Sequence, residues 1–426
     1  VALTFFVDPG KRVYVRRINI AGNALTRDRV VRREIRQMES TWFAADRLKL
    51  SRERLQRTGY FDSVAIETPA VPGSPDQIDV DVTLQEKPSG SLLAGVGFSQ
   101  SQGFLFNASI SQSNFFGTGK RVTLGVNTSN VNKLYELAFQ NPYHTLDGIS
   151  RGFELSYRST DYEDLDVTNY STDEARAGVN YGFPLSETNR LNFAFNLRQL
   201  DFKLGVTPSS ELLDFVDTYG DGFLDYELRT SWKHDSRDSA IFPRDGVLTE
   251  LYASATVPGS DLTYFRLEYR NRVYIPLSRH LTLSGNLELG AGDGYGDTGA
   301  LPLFEHFFAG GPRTVRGFQA YTLGPRDSNG DPLGGNAKMT GNLELLFPPP
   351  FSSDLDSLRL AAFLDFGNVF LKDRGGFDAG EFRYASGLGL SWLSPIGALT
   401  LSLAYPLKSE DIDDTEVFQF SFGTTF

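Results

Sequence analysis

The chain has 426 residues, a formal net charge of −12 and no cysteine. This length allows two or three ordinary domains, or one large barrel with an appendage. The acidic balance argues against a nucleic-acid-binding surface, and the lack of cysteine excludes disulfides, thiolate metal sites and thiol nucleophiles. Since no run of about 18 apolar residues occurs, the sequence predicts no transmembrane helix.

The first part of the chain, residues 9–88, mixes strand and helix patterns. RVYVRRINIAGN indicates a strand ending in a turn, after which Val31, Ile35 and Met38 follow at helical spacing. A second helix through SRERLQRTG stops at Gly59, and YFDSVAIET and IDVDVTLQE indicate two further strands. The sequence therefore predicts a small β-α-α-β-β domain. Residues 1–8, VALTFFVD, resemble a lone strand left from a preceding domain.

From residue 89 to residue 426 the helical pattern almost disappears, and about sixteen alternating segments follow one another between turns. In FRLEYRNRVYI, Leu267 and Tyr269 share one face, whereas Arg266, Glu268 and Arg270 share the other. Charged residues on the inward face of a strand suit a closed barrel with a water-filled lumen. In such a barrel only the outward, lipid-facing side must be apolar. The sequence thus favours a transmembrane β-barrel; a large soluble β-sandwich, whose strands are usually shorter, is the alternative.

The last and first barrel segments are predicted to meet at a weak seam. EVFQFSFGTTF alternates phenylalanines with polar residues and runs to the end of the chain, so it can pair with the first segment, GSLLAGVGFS. Glycines interrupt both segments, and a strand glycine weakens pairing or permits a bend; the alternative is that they serve only barrel twist. The predicted seam residues are Gly90, Gly95, Gly97, Phe420, Phe422, Gly423 and Phe426.

The stretch AGGPRTVRGFQAYTLGPRD, residues 309–327, is predicted to be a loop. Its prolines exclude a helix interior or a central strand, and its glycines permit close backbone approach. A second acidic segment, DFVDTYGDGFLD, fails the calcium-loop pattern and is predicted to be a solvated extracellular loop. The four histidines occur in no metal-ligand spacing, so no catalytic or metal site is predicted.

Several stretches together carry a family resemblance: VPGSPDQIDV, NFFGTGKRV, FQNPYHTLDGIS, FPRDG, the VRGF core of the loop and the terminal phenylalanine. Over essentially the whole chain they resemble the BamA family, the outer-membrane β-barrel assembly factors of Gram-negative bacteria. VRGF by itself is shared with the wider superfamily, including two-partner secretion transporters. The resemblance implies a sixteen-stranded antiparallel transmembrane barrel over residues 89–426, preceded by a periplasmic POTRA domain over residues 9–88. It also implies that residues 1–8 are the remnant of an earlier POTRA domain.

The resemblance further implies that a long loop, about residues 293–336, folds into the lumen and is locked there. The loop arginine of this family meets acidic side chains of the barrel wall, which match Glu344 and Asp365; alternation independently places both on inward faces. The alternative is an ordinary exposed arginine. The family's loop often carries a cysteine pair, which is absent from this sequence. The predicted lock residues are Val315, Arg316, Gly317, Phe318, Glu344 and Asp365.

The function implied is the folding and insertion of β-barrel proteins into the outer membrane through a lateral seam, without catalysis or a cofactor. The implied partners are unfolded outer-membrane proteins, outer-membrane lipid and the lipoproteins of the BAM complex, with no nucleic acid. Arg32 and Glu39 match positions that contact the lipoprotein BamD, although charged residues on a helix are usually a solvated face. A two-partner secretion transporter of unfolded polypeptide is the main alternative, and a passive porin is another.

Overall fold

A computed structural model describes residues 12–163, 167–349, 357–394 and 397–423. The predicted remnant strand at residues 1–8 and the terminal Phe426 lie outside the described residues. The chain divides into two compact units. One contains the residues up to Leu92 with segments 110–123 and 139–147, and the other contains the remainder.

The N-terminal part of the first unit has the predicted β-α-α-β-β order: β1 (Tyr14–Ala21), α1 (Asp28–Arg32), α2 (Ala45–Arg57), β2 (Phe61–Glu67) and β3 (Gln77–Glu86). The central strand β3 pairs with β1 in parallel and with β2 antiparallel. Val15, Val31, Leu55 and Val80 are fully buried or nearly so. Apolar residues of both helices and of the sheet therefore form one core.

The first helix is shorter than its apolar spacing predicts. It ends at Arg32, so Ile35 and Met38 lie beyond it, and Met38 is 66% exposed. The backbone N–H of Arg36 donates to the Ser51 hydroxyl of α2. The helix predicted from this spacing thus stops before Ile35 and Met38, and the Ser51 side chain of α2 accepts a backbone N–H beyond its end.

Sixteen strands close into an antiparallel barrel, which confirms the predicted fold class. Each strand neighbours the next barrel strand along the chain, and the last strand, β21, lies beside the first, β4. The barrel strands are β4 (Gly90–Ser99), β5 (Gly103–Gln112), β6 (Arg121–Thr128), β7 (Asn132–Asn141), β8 (Ser150–Asp161), β9 (Tyr170–Pro184), β10 (Asn189–Leu204), β11 (Gly222–Asp235), β12 (Gly246–Thr256), β13 (Tyr264–Pro276), β14 (Thr282–Gly294), β16 (Ala337–Phe347), β17 (Leu358–Phe370), β18 (Arg383–Ser394), β19 (Gly397–Lys408) and β21 (Phe418–Phe422).

Two further short strands pair with each other and not with the barrel wall. They are β15 (Gly317–Phe318), in the VRGF stretch, and β20 (Thr415–Glu416), just before the last barrel strand. Along the barrel strands, apolar residues such as Leu267 and Leu403 are exposed, whereas Arg198 and Asp365 are buried inside. This apolar-out, polar-in pattern is that of a barrel whose outer surface faces lipid. No helix among the described residues has the length and apolarity needed to cross a membrane.

The acidic segment at residues 214–225 is not a solvated loop, and that prediction was wrong. Its first half belongs to α3 (Ser210–Tyr219), in which Leu212 and Phe215 are buried. Its second half enters β11, where Phe223 is 1% and Asp225 is 0% exposed. The rings of Phe215 and Phe223 pack on the loop residue Phe304. The spacing of Leu212, Phe215, Val216 and Tyr219 is the helical signal that could have predicted this.

Candidate functional site

The arginine loop, residues 295–336, connects β14 to β16 and packs inside the second unit. Val315 and Phe318, the apolar residues on either side of its arginine and glycine, are both 0% exposed. They belong to a buried cluster that also contains Val369 and Ala385 of the barrel wall. The loop is therefore anchored by apolar burial as well as by charge.

Arg316 lies between the two wall carboxylates that the sequence singled out. Its Nε and Nη2 donate to the two oxygens of Asp365, each at 2.7 Å, and its backbone N–H donates to Asp365 Oδ2 at 3.0 Å. Nη2 also lies 2.7 Å from Glu344 Oε1. The guanidinium carbon is 3.4 Å from the ring centre of Phe363, which places a cation over an aromatic face. Burial lowers the pKa of Arg316, but the two carboxylates outweigh it, so the pKa is raised and the charge is retained.

Gly317 permits the backbone approach that this arrangement needs. Its φ of +88° belongs to the left-handed region, which side chains other than glycine rarely adopt. A Cβ atom there would lie 3.3 Å from Ala404 Cβ and 3.4 Å from Ala385 Cβ. The two wall alanines and the loop glycine thus let the loop backbone lie close against β18 and β19.

A second charged anchor, which the sequence reasoning missed, holds the first half of the loop. Glu305 accepts from Arg198 of β10 at 2.6 Å, from Arg266 of β13 at 2.8 Å and from the Tyr264 hydroxyl at 3.1 Å. Burial acts to raise the pKa of Glu305, but Arg198 and Arg266 lower it to about 2. The sequence shows that Arg266 has inward parity and that Glu305 is the one acid in the apolar stretch LPLFEHFF, but it does not show that the two meet. The loop is therefore tied by an arginine to wall acids and by an acid to wall arginines.

The seam between β21 and β4 is short. Among the described residues, which end at Gly423, the two strands pair at two positions, Ser421 with Ser99 and Phe422 with Phe98. The same last strand pairs with β19 at five positions. Within the described part of the chain, the edge of β21 that faces β4 thus has fewer backbone pairs than the opposite edge.

At two of the predicted seam positions only glycine fits, because the backbones of the first and last strands lie close together there. A Cβ on Gly97 would lie 2.6 Å from the Phe422 carbonyl oxygen, and one on Gly423 would lie 2.4 Å from the Val96 carbonyl oxygen. Gly423 also has a φ of +74°. Here the glycines let the two backbones approach closely, a role that the sequence reasoning, which considered weaker pairing, a bend or barrel twist, did not include.

The remaining predicted seam residues have different surroundings. A Cβ on Gly90 or on Gly95 would meet only the end of a flexible side chain, that of Gln112 or Asn107. Phe420 stacks on Phe98 across the seam with ring centres 5.6 Å apart. This aromatic contact adds apolar burial where backbone pairing is sparse.

Arg32 and Glu39 come together in the POTRA domain, with Arg32 Nη1 3.7 Å from Glu39 Oε1. Their side chains are 46% and 45% exposed. Glu39 also accepts from the Ile18 backbone N–H at 2.8 Å, and Arg32 Nε donates to Asp28 at 2.6 Å. The pair is therefore an ordered, accessible charged surface, although Glu39 lies beyond the helix on which the sequence placed it.

The described part of the chain contains no group of three or more histidine, aspartate or glutamate residues placed to hold a metal ion. His306, in the arginine loop, is buried and contacts the Leu333 carbonyl through Nδ1 at 2.8 Å. The charged and polar groups of the site are thus engaged in holding the loop.

Two family models match the chain. The Omp85 superfamily domain matches residues 114–426, which include all of the arginine loop. The chain belongs to the Omp85 superfamily. A POTRA model, described as a surface antigen variable number repeat, matches residues 13–87 of this Omp85 chain.

Named relatives narrow the similarity within the Omp85 superfamily. The chain is 36% identical over 464 residues to the outer membrane protein assembly factor BamA of Neisseria meningitidis serogroup B, covering 100% of this chain and 58% of that relative. The crystal structure of BamA from Haemophilus ducreyi lacking POTRA domains 1–3 matches with a TM-score of 0.89 at 29% identity, covering 98% of this chain and 86% of that one. CdiB from Acinetobacter baumannii matches with a TM-score of 0.62 at 14% identity over 96% and 74% of the two chains, which shows the shared fold alone. This Omp85 chain spans little more than half the length of its BamA relative.

Proposed function

We propose that this Omp85 chain is an outer-membrane protein assembly factor that folds and inserts β-barrel proteins through its seam. The observation that carries the proposal is the unequal pairing of the last strand, which meets β19 at five positions and β4 at two among the described residues. A sparsely paired edge is a template for another strand, which can add to it by β-augmentation.

Backbone hydrogen bonds are the physical basis of the proposed insertion. An unpaired strand edge is very costly in hydrocarbon, where no water replaces the missing partner. A client strand that pairs with a seam edge while it enters the bilayer avoids that penalty. Client folding supplies the free energy, so the process is non-enzymatic and uses no cofactor.

The location and the partners are proposed from the similarity to BamA. The barrel lies in the outer membrane, and its POTRA domain belongs in the periplasm, where unfolded clients arrive. We propose that the BAM complex lipoproteins bind on the POTRA domain, with BamD at the exposed pair of Arg32 and Glu39.

The decisive test of the seam is a reversible disulfide across it. Ser99 and Ser421 are directly opposed, and the chain has no cysteine of its own. We expect the reduced S99C/S421C variant in liposomes to accelerate the folding of a urea-denatured outer-membrane barrel over empty liposomes. Oxidation should abolish the acceleration and reduction should restore it.

A matched control keeps the disulfide but moves it away from the seam. Asn192 and Ser231 are opposed on the neighbouring strands β10 and β11, so N192C/S231C adds the same bond to a fully paired part of the wall. Oxidised control protein should retain activity. Full activity with the seam locked would refute the route through the seam.

The alternative, a two-partner-secretion-type transporter, predicts a different result in the same liposomes. It would give no folding acceleration and would show ion conductance through the barrel. No structural feature described above favours it, and the likeness to CdiB concerns the fold.

The proposed BamD surface is tested with charge reversals. R32E should weaken the binding of purified BamD to the POTRA domain of the full chain in nanodiscs. The substitution reverses a charge that is proposed to face a complementary charge on BamD. R57E is the matched control, since Arg57 is an exposed arginine at the end of α2 with its own i,i+4 glutamate. The R32E/E39R exchange keeps an ion pair between the two positions but exchanges the places of its charges. Unchanged BamD binding by R32E would remove this site from the proposal.

A further inference from the structure

The arginine loop is bonded to the chain segment that leads into the last barrel strand. Gly317 and Phe318 of β15 pair with Glu416 and Thr415 of β20. The ladder is extended by the Gln319 backbone N–H, which donates to the Asp414 carbonyl at 2.8 Å. Only Val417 separates β20 from β21 along the chain. The loop that carries Arg316 therefore forms a small sheet with the approach to the seam strand.

One side chain of the seam strand itself joins this small sheet. Gln419 of β21 is 1% exposed, and its Nε2 donates to the Phe318 carbonyl at 2.7 Å and to Glu416 Oε2 at 3.2 Å. Phe318 follows Arg316 by two residues. A single amide group thus links the locked loop to the last strand from the lumen side. We call β15, β20 and Gln419 together the joint.

The other edge of the last strand is met by a side chain where strand pairing is absent. Gln100, which follows β4 directly, accepts from the Phe420 backbone N–H at 2.7 Å and donates to Glu416 Oε1 at 3.0 Å. The exposed side chain of Gln100 thus accepts the hydrogen bond of a backbone N–H that a partner strand would otherwise accept. Among the residues up to Gly423, β21 is therefore bonded more to β19 and to the joint than to β4.

We propose that Gln419 is a positioning residue that couples the arginine loop to the seam, so that the locked loop holds the last strand against the first. Releasing Arg316 from Asp365 weakens the hydrogen bond between Gln419 and the Phe318 carbonyl, and the described pairing of β21 with β4 then opens more readily. This inference deepens the seam mechanism proposed above and rests on it. Its physical claim, however, concerns seam closure, which is measurable without any client.

The test uses the S99C/S421C pair as a reporter of seam closure. The full chain is placed in lipid bilayers without client, and the fraction of disulfide is measured in glutathione redox buffers, which gives the effective concentration of one thiol for the other. Q419A should lower this effective concentration about three- to tenfold, the range that loss of one hydrogen bond permits. Q199A is the control for loss of a glutamine away from the seam, because Gln199 is an exposed residue of β10, far round the barrel.

A second variant separates the hydrogen bond from simple packing. Q419E keeps the size of the side chain but replaces the donating amide by a carboxylate that faces the Phe318 carbonyl and Glu416. The proposal expects Q419E to lower the effective concentration at least as much as Q419A does. If Q419E behaves like the parent protein while Q419A does not, Gln419 serves packing and the proposal is overturned.

A double-mutant cycle tests the route from lock to seam. R316A should lower the effective concentration in the parent background and have little further effect in the Q419A background, because both changes break one path. Equal effects of R316A in both backgrounds would overturn the coupling, as would an unchanged seam in Q419A. If the parent protein does not accelerate client folding, the proposed assembly function is refuted. The coupling is tested separately, because the S99C/S421C disulfide is measured without client.

Discussion

Asp365 accepts three hydrogen bonds from one residue, Arg316: two from the guanidinium at 2.7 Å and one from its backbone N–H at 3.0 Å. The carboxylate is 0% exposed, whereas the side chain of Glu344, the other partner, is 24% exposed. The two wall acids thus differ in what they hold. Asp365 fixes both the side chain and the backbone of the loop, and Glu344 adds one contact to a side chain already fixed.

This difference predicts unequal costs for removing the two charges. D365N should make release of the loop from the wall easier by about 3 to 5 kcal/mol, the range for breaking a buried pair. The substitution leaves Arg316 without its main counter-charge. E344Q should cost about 1 kcal/mol. Amide hydrogen exchange at residues 315–319 measures both. E288Q is the control, since Glu288 pairs with Lys338 on the wall at 2.9 Å; equal effects of D365N and E344Q would contradict the assignment.

The second anchor predicts a local effect at the other half of the loop. E305Q removes the charge that Arg198 and Arg266 share, and we expect a loss of about 1.5 to 3 kcal/mol in the free energy of opening there. Hydrogen exchange should rise at residues 301–309 more than at residues 315–319. In the control E268Q, Arg266 loses a partner at 3.3 Å on its own strand while the loop carboxylate stays in place. A uniform rise along the whole loop would mean that the two anchors are not separate.

Close approach at the seam predicts that its glycines resist substitution. G97A and G423A place a Cβ within 2.6 Å of a backbone carbonyl oxygen, which must move away. We expect less S99C/S421C disulfide in both variants, measured under the same redox conditions. G285A is the matched control because no atom lies within 4 Å of a Cβ on this strand glycine. Seam disulfide as abundant in G97A as in G285A would show that the seam tolerates the extra atom.

The contact between α3 and the arginine loop predicts acid sensitivity. Burial acts to raise the pKa of Glu211, but hydrogen bonds from the Ser328 and Glu211 backbone N–H groups and the Ser328 and Ser210 hydroxyls lower it to about 2. A carboxyl whose pKa is lowered in the folded state stabilises that state above its ordinary pKa, and the stabilisation is lost as pH falls through the folded value. The α3 contact should therefore weaken between about pH 4.5 and pH 2.

Hydrogen exchange of the Ser328 amide, corrected for the intrinsic pH dependence of exchange, measures this loss. E211Q should show the same weak protection at every pH. Protection in the parent protein that stays constant down to pH 2 would contradict the role of Glu211.

The alternating segments predicted the barrel because a strand between lipid and water must carry apolar residues on one face and polar residues on the other. The same reasoning missed α3, whose Phe215 packs on Phe202 of β10 and Phe223 of β11 as well as on the loop residue Phe304. It also extended the first POTRA helix through Met38, whereas the helix ends at Arg32 and the Arg36 backbone N–H donates to Ser51. Local patterns predicted the alternating strands and failed at Arg36, where a side chain of α2 accepts the backbone N–H.

For the candidate site, parity placed Glu344 and Asp365 inward, and the family resemblance supplied their partner, Arg316. The structure brings these three together. Glu305 was missed because its partners lie on strands distant in sequence, and a lone acid in an apolar stretch does not reveal which arginines it meets. The lock function of the first group and the seam function of the glycines remain predictions that the experiments above decide.

By itself, the sequence determined the division into a small α/β domain and a long barrel, the outward and inward faces of the strands, and the presence of a loop rich in glycine and arginine. These features follow from side-chain period and backbone freedom, which are local properties. Only the tertiary structure decided that β21 meets β4 at two described positions, that Glu305 joins two wall arginines, and that Gln419 reaches the Phe318 carbonyl. Each of these contacts joins residues far apart in sequence, and barrel closure and loop packing set their distances.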